Sequence, residues 1–191
     1  PQVWIAGTGP RTLDIAGRYG DGWLSTPIRV EIYAEQYRQV AAGARTVGRK
    51  APVGSLMPLI LLGDSRDQVA GLMEAQPLVK LVVAMLASAA VWQKHGLDHP
   101  AGNSCRGYVD TIPHLLDPAV LRQVAPRIPL RMVDDMLFYG NAKDVAAQLK
   151  PYEAAGLAHV ALCDMSGLAY APEELPRVMG QLGELRQLLA A

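Results

Sequence analysis

Apolar and polar positions along this chain form short uncharged runs alternating with longer segments of helical period. The first run, Gln2-Val3-Trp4-Ile5-Ala6, carries no charge and predicts a strand buried on both faces. Gly7-Thr8-Gly9 follows, where the backbone can turn sharply and come close to a ligand. Pro10 suits a first helical turn, and Leu13, Ile15, Ala16 and Tyr19 recur at roughly helical spacing. Gly20 and Gly22 end that helix, and Trp23-Leu24-Ser25 begins a second strand. Two buried strands joined by a helix make a right-handed, parallel βαβ unit. The N–H groups of residues 7 to 9 sit at its helix start, a position suited to an anion.

The same pattern continues. Thr26-Pro27-Ile28-Arg29 is a loop, and a helix is expected from Val30 to Val47, with Ile32, Tyr33, Tyr37, Val40, Ala41 and Ala44 on its apolar face. Val53 to Leu62 predicts a third strand, in which Pro58 forces a bulge or a late start. Asp64 or Ser65 caps a helix to about Ala75, and Pro77 opens a very apolar one to about His95. Residues 96–113 show no period and read as a loop. A short helix is expected from Asp117-Pro118 to Val124, another over 130–135, and an extended stretch or tight turn over Met136–Gly140. Asn141 caps a helix over Ala142–Ala155 that Pro151 can kink and Gly156 stops. His159 to Cys163 predicts the fourth strand, which makes His159 a structural residue on the N-terminal side and Cys163 a core residue. Pro172 opens the last helix, with Leu175, Val178, Met179, Leu182 and Leu185 inward. This alternation predicts a parallel α/β sheet. Four open strands leave two unpaired edges, so the chain is expected to pair with something.

Composition narrows the function classes. Eighteen basic residues balance 18 acidic ones, which gives no general affinity for nucleic acid or an anionic membrane. Two cysteines are too few for a disulfide framework, so the cytoplasm is the expected compartment. The apolar run Leu78–Trp92 contains Lys80 and falls short of the roughly 20 residues that span a bilayer, so no membrane role is expected.

The stretch Ala6-Gly7-Thr8-Gly9-Pro10 through Ala16-Gly17 to Asp21-Gly22-Trp23-Leu24 resembles the luciferase-like monooxygenase superfamily, most closely the branch that uses the deazaflavin coenzyme F420. The resemblance runs to about residue 165. It implies an α/β fold, the C-terminal half of a (β/α)8 TIM barrel, with four parallel strands and an inserted helical and loop segment after the third. A complete barrel takes about 250 residues or more, so a fragment is expected. Residues 1–191 then form a single half-barrel domain with βα units at about 2–20, 22–48, 53–95 and 158–190, and an insertion at 96–135. The implied partners are a small-molecule substrate and either a second copy, giving a homo-oligomer, or the missing N-terminal half.

The implied activity is hydride transfer between F420 and a carbonyl-type substrate. FMN-dependent monooxygenation is the alternative within the family, and a non-catalytic, self-associating half-barrel the alternative outside it. The resemblance puts Ala6, Gly7, Thr8 and Gly9 against the coenzyme. Thr26 and Arg29 match positions that bind substrate phosphate in F420-dependent glucose-6-phosphate dehydrogenases, and Arg29 keeps the positive charge. Gln93-Lys94-His95 and Asp98 resemble the same dehydrogenases, which makes Lys94 a third anion-binding candidate. His95 to Gly102 and Asp110 to Pro113 are similar to phthiodiolone ketoreductases. Asp135 stands near a position where the sugar-phosphate enzymes have arginine, and this favours a carbonyl or lipid-like substrate. The catalytic acid is unassigned, because the family's proton donors lie in the other half. His95, Asp98, His99 and Cys105 match no zinc spacing, so no metal is expected.

Overall fold

The computed structural model describes residues 1–190. In chain order the elements are β1 (Trp4–Ala6), α1 (Pro10–Tyr19), β2 (Gly22–Ser25), α2 (Val30–Thr46), β3 (Val53–Leu56), β4 (Leu59–Leu62), α3 (Arg66–Ala75), α4 (Leu78–Ala84) and α5 (Ala89–Lys94). There follow α6 (Pro118–Val124), β5 (Leu137–Gly140), α7 (Ala142–Ala154), β6 (Leu157–Val160), β7 (Cys163–Asp164) and α8 (Leu175–Ala190). All strand pairs are parallel, and the fold is α/β.

The strands form two sheets, not one of four. A lower sheet has the order β1-β2-β3-β6, and an upper one β5-β4-β7. The run Val53–Leu62, expected as a single strand, breaks at Met57-Pro58 into β3 and β4. Proline brings no N–H to a ladder, so the change of partner happens where there is no donor to lose. Below the break the run pairs with β2, and Met57 N–H still donates to Ser25 O at 3.0 Å. Above it the partner is β5. On the other side the ladder continues: Ala161 N–H to Leu56 O, Cys163 N–H to Pro58 O and Met165 N–H to Ile60 O. The expected strand His159–Cys163 accordingly starts at Leu157 and splits into β6 and β7. Residues 137–140, whose sequence fits either an extended stretch or a tight turn, are a fully buried strand.

Burial differs from expectation at one edge. β1 is not covered on both faces: Trp4 and Ala6 are exposed and Ile5 is half-buried. β1 is the edge of its sheet, with β2 as its one paired neighbour among the described residues, and an apolar sequence cannot bury itself without a partner. The other face of the lower sheet is covered by helices. α1 and α2 pack so closely that a Cβ on Gly17 would lie 2.8 Å from Ala44 N. Ile15 and Tyr19 of α1 and Ile32 of α2, expected inward, stay exposed, as does Met179 of α8.

Elsewhere the helices follow capping chemistry. Ser65 accepts from Gln68 N–H, Asp117 from Ala119 N–H, and Asn141 and Asp144 form a capping box. The helix expected from Pro77 to His95 is two helices, because the chain turns at Met85–Ala87 and restarts after Ser88. The helix expected over 130–135 is a single 3₁₀ turn, Leu130–Met132, and the last helix starts at Leu175 instead of Pro172. Lys80, fully buried on α4, keeps its charge paired through Glu74 Oε2 at 2.7 Å.

Candidate functional site at the glycine turn

Gly7 leaves β1 with φ +137°, a backbone region open to glycine, and a Cβ there would meet Thr12 Cγ2 at 2.8 Å. Trp23 pins the turn from the neighbouring strand. Its ring is fully buried between β2 and α2, and its Nε1–H donates to Gly7 O at 2.8 Å. Gly7 N–H reaches Leu24 O at 3.3 Å. Trp23 is itself held by Tyr33, with ring centroids 5.2 Å apart, and Tyr33 by Tyr152 at 5.7 Å. Burial raises the Tyr33 phenol well above its ordinary value and pushes the Tyr152 phenol up to about 12, so both stay neutral packing groups.

The turn leads into an uncapped helix. Gly9 is the N-cap of α1 and supplies no side-chain oxygen, and Pro10 follows it. Among the described residues no partner meets the N–H groups of Thr8, Gly9, Arg11 or Thr12. The space in front of Gly9 is open, since a Cβ there would meet only Thr12 Oγ1, at 4.0 Å. Ala6 and Gly9 are exposed, and Gly7 and Thr8 half-buried. Free donors at a helix start with room before them fit an anionic or hydrogen-bond-accepting ligand. Beside the turn, Thr8, Pro10, Leu13, Glu31 and Gln36 line a cleft of about 350 Å3. Gln36 Oε1 is buried there without a partner.

The other candidates lie apart. Thr26 and Arg29 share the loop after β2, with Thr26 half-buried and Arg29 exposed. Arg29 Nε lies 3.8 Å from Asp135 Oδ2 across a cleft of about 240 Å3 that Glu31 and Asp134 also line. Asp134 is occupied by Tyr139 OH at 2.8 Å and Arg66 at 3.3 Å. Lys94 is exposed at the end of α5 and lines none of the described cavities. The structure therefore groups Ala6 to Gly9 in one place, Thr26 and Arg29 in a second, and Lys94 in neither.

Two clusters were not legible in the sequence. His159, expected as the first residue of the fourth strand, lies inside β6 in register with Ser55, and its Nδ1 lies 2.8 Å from Ser55 Oγ. Its ring meets Trp4 edge-on at 5.0 Å, across the open face of the lower sheet. Ser55 and His159 are 104 positions apart, and no local motif signals such a pair. The second cluster holds the 96–113 loop. Buried His99 accepts Ala101 N–H at Nδ1, which leaves the ring proton on Nε2, 3.6 Å from Cys105 Sγ. Thr111 Oγ1 lies 3.8 Å from the same sulfur and donates to Met85 O at 3.1 Å. These side chains fasten a loop. Among the described residues no three potential metal ligands converge. Cys163, expected in the core, is half-buried.

The sequence profile of the luciferase-like monooxygenase family matches residues 1–159. The chain belongs to that family. Phthiodiolone/phenolphthiodiolone dimycocerosates ketoreductase of Mycobacterium tuberculosis is 30% identical over 171 residues, covering 87% of this chain and 44% of the relative. The chain thus spans less than half the length of the curated relatives it matches. The structure of coenzyme F420-dependent tetrahydromethanopterin reductase from Methanopyrus kandleri superimposes with a TM-score of 0.65 at 17% identity, over 94% of this chain and 49% of that one. The oxygenating constituent of 3,6-diketocamphane monooxygenase from Pseudomonas putida, in complex with FMN, gives 0.59 at 16% identity, over 97% and 46%. At such identities these structures show a shared fold alone. F420-dependent hydroxymycolic acid dehydrogenase of Mycobacterium tuberculosis is 39% identical to this luciferase-like chain over 49 residues, 26% of the chain and 13% of that relative. No helix among the described residues is long and apolar enough to cross a membrane.

Proposed function

We propose that this chain is the C-terminal half-barrel of an F420-dependent oxidoreductase that moves a hydride to or from a carbonyl-type carbon of a small molecule. The observation that carries the reading is the uncapped start of α1 behind a glycine turn pinned by Trp23, in a chain similar to a ketoreductase over 87% of its length. When bound, the deazaflavin supplies the hydride chemistry. The chain's own residues bind and orient. Ala6 and Gly9 leave room for the coenzyme, and the N–H groups of Thr8, Gly9, Arg11 and Thr12 meet its acceptor atoms. Trp23 keeps the turn in the geometry that aims those donors.

Thr26, Arg29 and Lys94 are assigned to an anionic group of substrate or coenzyme. Arg29 has only a long, exposed contact with Asp135, so most of its fork is free for an oxyanion that displaces that carboxylate. The lower sheet's open face and its two edges are the surfaces that a complementary half would cover. That half is the N-terminal part of a longer protein or a second copy, and the setting is the cytoplasm.

Titration of F420 fluorescence with the 191-residue chain tests the proposal. Saturable quenching that Gly9→Val weakens is the expected result. Saturation by FMN and not by F420 overturns it in favour of a monooxygenase. A folded chain that binds neither, alone or with an N-terminal half supplied, overturns it in favour of a non-catalytic half-barrel.

A further inference from the structure

A groove of about 460 Å3 opens between α4 and α6, the largest of the described cavities. Leu81 and Ala125 form its buried floor, and Leu78, Leu121 and Leu168 its walls. Leu78 is 47% and Leu168 38% exposed, a contiguous apolar strip left in water. Leu168 closes the 3₁₀ turn Ser166–Leu168 just beyond the end of β7 at Asp164, so the groove lies toward the C-terminal end of the upper sheet. One charged side chain borders it. Arg122 stands exposed on α6, and among the described residues it has no ion-pair partner.

We propose that this groove binds a long acyl chain with an anionic end, the chain along the leucines and its carboxylate on the Arg122 guanidinium. The size falls within the roughly 300–1,000 Å3 of small-molecule sites, which are mostly apolar with a few orienting polar groups. Aromatic anchors, which typify the centre of a protein interface, are absent from its lining. A neutral apolar ligand would leave the one cation unused, whereas a carboxylate meets the fork of a guanidinium in two parallel hydrogen bonds. The proposal stands apart from hydride transfer and needs no coenzyme.

The test is displacement of a fluorescent polyene fatty acid from the 191-residue chain by dodecanoate and by dodecanol. Saturable binding is expected, with dodecanoate roughly tenfold tighter than dodecanol. Arg122→Gln removes that difference and leaves dodecanol unchanged. Leu78→Asp and Leu168→Asp, at exposed positions that leave the fold intact by circular dichroism, abolish binding of both. Absence of saturable binding overturns the proposal, as does binding indifferent to the leucine variants. Equal affinities for acid and alcohol overturn the role of Arg122. A concentration-dependent native mass that Leu168→Asp abolishes, with no fatty-acid binding, overturns it in favour of contact between copies.

Discussion

Trp4 and Trp23 occupy neighbouring parallel strands, one register step apart, yet Trp4 is 39% exposed and Trp23 wholly buried. The contrast extends to the two sheets. β4 and β5 are buried at every position, whereas β1 is exposed at two of its three positions and β6 at two of its four. These strands are similarly short and apolar, so the difference lies in what is packed against them. The upper sheet has its covering in the chain itself. The lower sheet has helices on one face and an open hollow on the other, which Trp4 partly fills by lying over Gly22 and reaching His159. Stability in this molecule follows neighbours more closely than residue type.

Substitutions sharpen that contrast. Trp23→Ala removes a fully buried ring and the hydrogen bond that holds the glycine turn, and should cost about 3–5 kcal/mol, read as a lower urea midpoint. Leu61→Ala, in the closed sheet, should cost about 2–5 kcal/mol, while Val53→Ala, exposed at the foot of the same strand path, should stay within about 1 kcal/mol. Near-equal losses for these two would mean that the hollow is filled in solution. Gly7→Ala forces a left-handed backbone and a contact with Thr12, and should cost about 1–3 kcal/mol while weakening any ligand at the turn. Trp4→Ala should cost only about 1 kcal/mol, since it gives up an edge contact and partial cover.

The smallest expected effect concerns a third region, the 96–113 loop. Burial pushes the His99 imidazole below its ordinary 6.5. As pH falls below that value the unfolded chain takes up the proton before the folded one, so this group lowers stability progressively with acid. Above it both states are neutral and the contribution vanishes. His99→Gln should therefore flatten the dependence of the urea midpoint on pH below about 6.5. An unchanged slope would place the acid sensitivity elsewhere.

Much of this architecture was legible in the chain. The strand–turn–helix start needed only Gly7 and Pro10, and Ser65, Asp117 and Asn141 mark helix starts by their own chemistry. Pro58 signalled a break, but not the exchange of β2 for β5, which depends on where a distant loop leaves the sheet. Four apolar residues at 137–140 carry too little pattern to separate strand from turn. Uniform apolarity from Leu78 to Trp92 hid the turn before Ser88, although a serine in such a run was an available cap signal. At the site, glycines announced the turn, whereas Trp23's hold on Gly7 and the Ser55–His159 pair are products of tertiary folding. Arg29, Thr26 and Lys94 share an anion-binding logic in sequence, but distance between loops is not written there.

The break at Pro58 has a mechanical side. A strand in mid-sheet is normally gripped along both edges, so that neither neighbour can swing. Here the upper part of the path is sewn to the last strand by an unbroken row of stitches, while on the other side the row stops at Met57 and a different neighbour takes over. The upper sheet is hung like a door, with its jamb along 157–165 and its free side at the cleft beside Arg29. Among the described residues, the Arg29–Asp135 pair, the bond from Tyr152 OH to Ile28 O and the Tyr33–Tyr152 ring contact latch that side.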